Sequence, residues 1–135
     1  MDEKRIPILV GSGQITQREQ DPLVALSPMD LTASAGFKAA DDTHIGKSIL
    51  KKLDTIVVIR SFSDTSWRFK CPFGKYSNPP LSLSKRLGAE NVNRLIYTYP
   101  GGNMPQWCVN RMFEMVTRGE LELSLIHISE PTRQP

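Results

Sequence analysis

The sequence has little of what disulfide scaffolds and metal sites are made from: two cysteines, Cys71 and Cys108, and two histidines in 135 residues. The cysteines show neither CxxC pairing nor metal-type spacing, so no disulfide framework and no metal site are expected, only two free thiols. Long apolar runs are missing as well. No window reaches the ~18 apolar residues of a membrane span. The mixed-sign start Met1-Asp2-Glu3-Lys4-Arg5 runs directly into Ile6-Pro7-Ile8-Leu9-Val10, without the apolar stretch and small-residue cleavage site of a signal peptide. A cytoplasmic protein with no membrane partner is the expectation. Charge of one sign is also scarce. The net charge of +3 and pI near 9.0 come from a surplus spread along the chain, which argues against a nucleic-acid partner.

What is present suffices for one core: 39% of the residues are hydrophobic and 23% charged, with ten prolines. Residues 6–10 form a β-rich apolar run closed by Gly11-Ser12-Gly13, the pattern of a buried strand. Ser27-Pro28-Met29-Asp30 opens a helix to about Asp42: Ser27 caps, Pro28 takes the first helical position, and Asp30 returns a capping-box bond. The small residues Ala33, Gly36 and Ala40 let that helix lie close on a neighbour. Thr55-Ile56-Val57-Val58-Ile59 is apolar without alternation, as in a parallel strand covered on both faces.

Residues 61–77 read as a long loop carrying Trp67, Arg68, Phe69, Lys70, Phe73, Lys75 and Tyr76, suited to a solvated or subunit-contact role. Asn78-Pro79-Pro80 starts a short helix with Leu83 and Leu87 inward and Gly88 at its end. Arg94-Leu95-Ile96-Tyr97-Thr98-Tyr99 reads as a strand. Asn103-Met104-Pro105 caps a last helix that Arg118-Gly119 ends. Met104, Cys108, Met112 and Met115 form one stripe on it, widened by Trp107, Val109, Phe113 and Val116. A helix apolar over most of its circumference is expected to be buried. The order β-α-β-α-β-α, with a further strand from Leu121, predicts an α/β domain of helices layered on a mostly parallel sheet.

The C-terminal residues read differently. Leu123-Ser124-Leu125-Ile126-His127-Ile128-Ser129-Glu130-Pro131-Thr132-Arg133 match, without a mismatch, one reading frame of the transposase adapter used in sequencing libraries. We therefore read residues 123–135 as an adapter-derived, non-native tail, and residues 1–122 as a partial domain whose native frame ends near Glu122. On this reading His127 has no functional weight and the tail is dispensable or harmful to the native core. Its apolar start is nevertheless able to complete the strand begun at Leu121.

Several landmarks resemble the thiolase superfamily's N-terminal domain. Ile8-Leu9-Val10-Gly11-Ser12-Gly13-Gln14-Ile15-Thr16 is similar to the family's opening strand and turn. Asn78-Pro79 with Lys85-Arg86-Leu87-Gly88-Ala89 resembles its second helix. Tyr97, then Gly101-Gly102-Asn103-Met104-Pro105-Gln106 and on to Arg118-Gly119-Glu120, resembles the third strand, the nucleophile turn and the central helix. The likeness spans nearly all of residues 6–122 and is nearest to the branch related to sterol-carrier-protein thiolases, labelled acetyl-CoA acetyltransferase. The resemblance implies an acyltransferase of lipid metabolism that makes or breaks carbon–carbon bonds at an acyl-CoA thioester, with coenzyme A thioester as substrate and no cofactor bound by this fragment.

In the family a cysteine at the start of the central helix is acylated, where the helix N-terminus lowers a thiol pKa and backbone N–H groups serve a thioester oxyanion. A second cysteine and a histidine come later. Counted back from Arg118-Gly119-Glu120, the nucleophile position falls here on Gly102, which retains a backbone donor but no thiol. Val109-Asn110-Arg111 imitates the family's lead-in to the cysteine, yet it would put Phe113 in the nucleophile's place with under two helical turns to Gly119. Cys108, six residues past Gly102, lies about 9 Å further along the helix and reads as a buried hydrophobe. Nothing near Cys71 in sequence would activate it. Beside the acyltransferase stand two alternatives: a related carbon–carbon lyase, which needs no acyl-enzyme, and a non-catalytic subunit binding acyl-CoA or a partner. A dinucleotide site is a poor fit, because GxGxxG would need glycine where Thr16 stands. The resemblance also implies a homodimer paired through the strand that starts at Arg94 and ends at Tyr99, whose apolar edge is a hazard if unpaired. The fragment itself is expected to lack thiolase activity.

Overall fold

A computed structural model describes residues 5–61, 64 and 73–128; Trp67, Arg68, Phe69, Lys70 and Cys71 lie outside them. The elements run α1 (Pro28–Asp42), a 3-10 turn (Lys47–Lys52), β1 (Thr55–Val58), α2 (Pro79–Leu87), β2 (Arg94–Tyr97), α3 (Met104–Thr117) and β3 (Ser124–His127). The three strands form one parallel sheet in the order β2-β1-β3, with Thr55 opposite Arg94 on one side and Ser124 on the other.

Central β1 separates two layers. Ile56 and Val58 face α1 and α2, packing with Met29, Ala33, Leu83 and Leu87. Val57 and Ile59 face α3, packing with Cys108, Met112, Met115 and Leu121. Ile56, Val57, Leu83 and Cys108 are wholly excluded from solvent. Each of the large aliphatic chains among them contributes about 1.5–3 kcal/mol by burial. The unbroken apolar run of β1 thus meets helices on both faces, as its sequence predicts.

Local signals set the helix starts. Ser27 Oγ accepts the Asp30 N–H at 3.1 Å, and Asn78 Oδ1 accepts the Leu81 N–H at 3.3 Å. The expected return bond from Asp30 does not form. Its carboxylate is drawn instead to the Arg86 guanidinium at 3.0 Å, and this pair joins α1 to α2. Arg86 also donates to Tyr76 Oη at 3.0 Å. A Cβ on Gly36 would stand 2.9 Å from Leu87 Cδ2, so the missing side chain sets how closely the two helices pack. Asn103, expected to cap α3, does not. It is itself helical in conformation, and the Met104 N–H is already taken by the Gly101 carbonyl at 3.2 Å. Pro105 has no N–H to satisfy, so one less donor needs a cap.

Two further expectations fail for one reason. Residues 6–10 are not a buried strand: Ile6, Ile8 and Leu9 are 72%, 72% and 81% exposed, and none of the five makes a backbone–backbone hydrogen bond among the described residues. Helix α3 is not buried all round either, since Trp107 is 50% and Phe113 38% exposed while Cys108, Met112 and Met115 are buried. In both cases the apolar pattern predicts a protein neighbour, and the described residues provide no second layer there. The apolar start of the C-terminal segment does form a strand, as its pattern allows: Ser124–His127 is β3, and its pairing with β1 is in register over four residues.

Candidate functional site

In parallel α/β sheets ligands bind beyond the carboxyl ends of the strands. Here β1 ends at Val58 and β2 at Tyr97, and the chain past β2 turns through Pro100-Gly101-Gly102-Asn103 into the N-terminus of α3. That turn and the residues next to it form the candidate site. Gly102 is exposed, and a Cβ built on it meets nothing within 4 Å. The space above it is open, at the positive end of a 14-residue helix with no acidic side chain in its first turn. The turn is therefore able to receive a negatively polarised oxygen.

Beside it lies a cluster the sequence did not disclose. The Arg60 guanidinium stands 4.3 Å from the centre of the Tyr97 ring, its Nε donates to the Thr98 carbonyl at 3.1 Å, and its Nη1 is 4.0 Å from Asp64 Oδ2. Tyr97 Oη donates to the same Asp64 oxygen at 2.5 Å. Burial, reinforced by the bond to Asp64, raises the phenol well above its usual pKa. Tyr97 is thus a fixed neutral donor. Arg60 is the residue that ends the apolar run of β1, so a charge at the mouth of a buried strand was visible. Its pairing with a tyrosine 37 positions on was not, because only strand adjacency brings them together.

Cys108 is inside the core, with no exposed surface, and burial pushes its thiol pKa up. Both facts are those of a structural cysteine. Cys71 lies outside the described residues. Among the described residues no group of three or more His, Cys, Asp or Glu is placed to hold a metal ion, and no helix is long and apolar enough to cross a membrane.

A concave region of about 930 Å3 reaches from β3 to the cluster of Arg60, Asp64 and Tyr97: residues 7–17, Thr32 and Gly36 of α1, Met112 and Phe113 of α3 and residues 122–128 bound it, and so do Leu83 of α2, Asp64 and Tyr97. His127 borders it. Thr32 Oγ1 donates to the Pro28 carbonyl at 2.8 Å, so the 3.0 Å contact with His127 Nε2 has the ring as donor. His127 Nδ1 is buried and has no partner among the described residues. Burial lowers the ring's pKa from 6.5 to about 4.

The arrangement of helices on a parallel sheet defines a thiolase-like α/β fold. It is similar to the crystal structure of a monomeric SCP2-thiolase-like protein type 1 from Mycobacterium smegmatis, at a TM-score of 0.72 and 24% identity. The match covers 93% of this chain and 23% of that protein, so the chain spans about a quarter of its solved neighbour. No protein-family profile and no curated protein matches the sequence.

Proposed function

We propose that this chain is the N-terminal part of a thiolase-like acyl-CoA protein that acts on carbon–carbon bonds of acyl-CoA thioesters. Gly102 stands in its nucleophile turn. The observation that carries the reading is the open turn at Gly102, set between the carboxyl end of β2 and the N-terminus of α3 in a thiolase-like fold. Backbone donors at such a helix start stabilise an oxyanion as it develops on a thioester carbonyl. Without a thiol at Gly102 there is no acyl-enzyme at this position. Beside an acyltransferase of the acetyl-CoA acetyltransferase type, that absence keeps two alternatives for the parent: a carbon–carbon lyase, which needs no acyl-enzyme, and a non-catalytic acyl-CoA-binding subunit. The chain alone is expected to be inactive in thiolysis, and acetoacetyl-CoA cleavage above a no-protein blank is the assay for that.

Gly102→Cys tests the turn directly. At a helix N-terminus the introduced thiol is expected to alkylate with a midpoint below the ordinary value of about 8.5 and to take up an acetyl group from acetyl-CoA. An ordinary thiol titration with no acetyl adduct by mass spectrometry removes the turn from the site. On the same reading residues 123–135 are an adapter-derived extension of a native frame ending near Glu122; a source DNA that reads on through residue 122 without the adapter string supports this, and one that encodes residues 123–133 in the gene overturns it. The parent is a cytoplasmic homodimer paired through β2, supported by the place of β2 at the sheet edge and tested by sedimentation.

A further inference from the structure

In the parallel ladder between β1 and β2 each bond implies the next. The Thr98 N–H donates to the Val58 carbonyl at 3.1 Å, so the Arg60 N–H would follow on the Thr98 carbonyl. That backbone bond is not made among the described residues. The Arg60 side chain takes its place, with Nε donating to the Thr98 carbonyl at 3.1 Å. A side chain reaches further than a peptide N–H. The carbonyl is therefore satisfied while the two backbones part, and the chain leaves the sheet at Thr98.

It leaves for the turn at Gly102. Thr98 is buried and fixed at three atoms: its N–H by Val58, its carbonyl by Arg60, and its hydroxyl on the Tyr99 carbonyl at 2.8 Å. At the far end Gly101 has φ +145°, a conformation that favours glycine, and its carbonyl accepts the Met104 N–H at 3.2 Å. Gly102 lies between these fixed points. Arg60 is itself held. Its guanidinium carbon is 4.3 Å from the centre of the Tyr97 ring, and Asp64, which accepts the Tyr97 hydroxyl, stands 4.0 Å from its Nη1.

The clamp also brings charge. Gly102 follows Thr98 by four residues through a turn, so the Arg60 cation lies on the order of 10 Å from it. A charge only about a third exposed, as Arg60 is, acts over such a distance with less screening than a fully solvated one. The first turn of α3 carries no acid to oppose it, so the cation adds to the positive end of the helix, and Asp64 takes part of that field back. We infer that Arg60 is a positioning residue of the Gly102 turn: it clamps the Thr98 carbonyl where β2 hands the chain to the turn, and its charge, tempered by Asp64, raises the positive potential that an anionic atom meets there. That role rests on the reading of Gly102 as the nucleophile position.

The test uses the full chain carrying Gly102→Cys, with alkylation followed by mass spectrometry on the peptide that holds the introduced thiol. Adding Arg60→Gln removes the cation and the clamp together. It is expected to raise the thiol's titration midpoint by about half a unit and to slow its acetylation by acetyl-CoA roughly tenfold. Arg60→Lys keeps the charge without the planar fork, and should restore the midpoint while acetylation stays slow. Asp64→Asn keeps an acceptor for the Tyr97 hydroxyl but removes the opposing charge, and should move the midpoint down. Opposite shifts from Arg60→Gln and Asp64→Asn are what a field produces; a turn merely loosened would move both toward the ordinary value of about 8.5. Should Arg60→Gln prevent folding, a downward shift in Asp64→Asn supports the inference and an unmoved midpoint overturns it. An unchanged midpoint in Arg60→Gln, or shifts of one sign in both variants, would overturn the role of Arg60 and leave the reading of Gly102 standing. An ordinary midpoint in Gly102→Cys alone would overturn both.

Discussion

The two sides of β1 show how far a short chain is able to finish a sheet. Toward β2 the pieces close: α2 carries the chain across from β1 to β2, Leu83 and Leu87 seal the face, and the Asp30–Arg86 pair ties the helices together. The charged mouth of that side is also complete, with Arg60, Asp64 and Tyr97 satisfying one another. Toward β3 the pieces are adjacent but open. There a buried imidazole nitrogen has no partner among the described residues, and an apolar segment lies in water. Apolar surface is equally available on both sides. What differs is whether a neighbouring layer is there to receive it.

The largest expected effect lies on the closed side. Leu83→Ala or Ile56→Ala removes a wholly buried side chain and should cost about 2–5 kcal/mol, read as a drop in the denaturant midpoint. Ile8→Ser on the open side should cost well under 1 kcal/mol, because Ile8 is exposed. Equal losses from the two would mean that residues 6–10 are already packed, and the contrast would fall.

Next comes acid. The native His127 ring, at about 4, binds fewer protons between pH 4 and 6.5 than the unfolded ring at 6.5. Its contribution is therefore complete above 6.5 and is lost progressively as pH falls toward 4, up to about 3 kcal/mol. His127→Gln should flatten that part of the stability profile. An unchanged slope in the variant would show that β3 is not buried as described. The same strand makes the expected tail divisible: removing residues 129–135 should leave the melting temperature alone, whereas removal from Ser124 onward should lower it by several degrees.

A smaller effect concerns association. In β2 the Thr98 N–H is bonded to the Val58 carbonyl and the Arg94 N–H to Asp54, so Leu95 and Tyr97 turn their backbone groups outward. Leu95→Pro deletes one outward donor without touching the Tyr97–Asp64 bond, and should weaken self-association several-fold by sedimentation. A clean monomer at micromolar concentration before any substitution would show that the proposed dimer does not form through this edge. The smallest effect is expected at Gly102→Ala, within about 0.5 kcal/mol, because the new methyl meets open space. A large loss there would mean the turn is closed, and with it the proposed site.

The sequence by itself determined everything that depends on near neighbours. Ser27 and Asn78 mark where α1 and α2 start, because a cap needs only the next three residues. The unbroken apolar run of β1 announces a strand covered on both faces, and the alternation of strand and helix implies a parallel sheet. The position of Gly102 at the start of α3 follows from spacing along one helix. Only the tertiary structure decided what those faces meet. An apolar stripe is the same pattern whether protein or water lies against it, so residues 6–10 and the Trp107 side of α3 were read as buried and are not. Asp30 left its own helix for Arg86, and Tyr97 found Asp64 and Arg60, because packing sets side by side residues that lie far apart in the chain. The apolar pattern of residues 123–128 allowed a strand, but which edge it pairs with was settled by the fold: the free edge of β1 offers its hydrogen bonds to an extended apolar segment within reach.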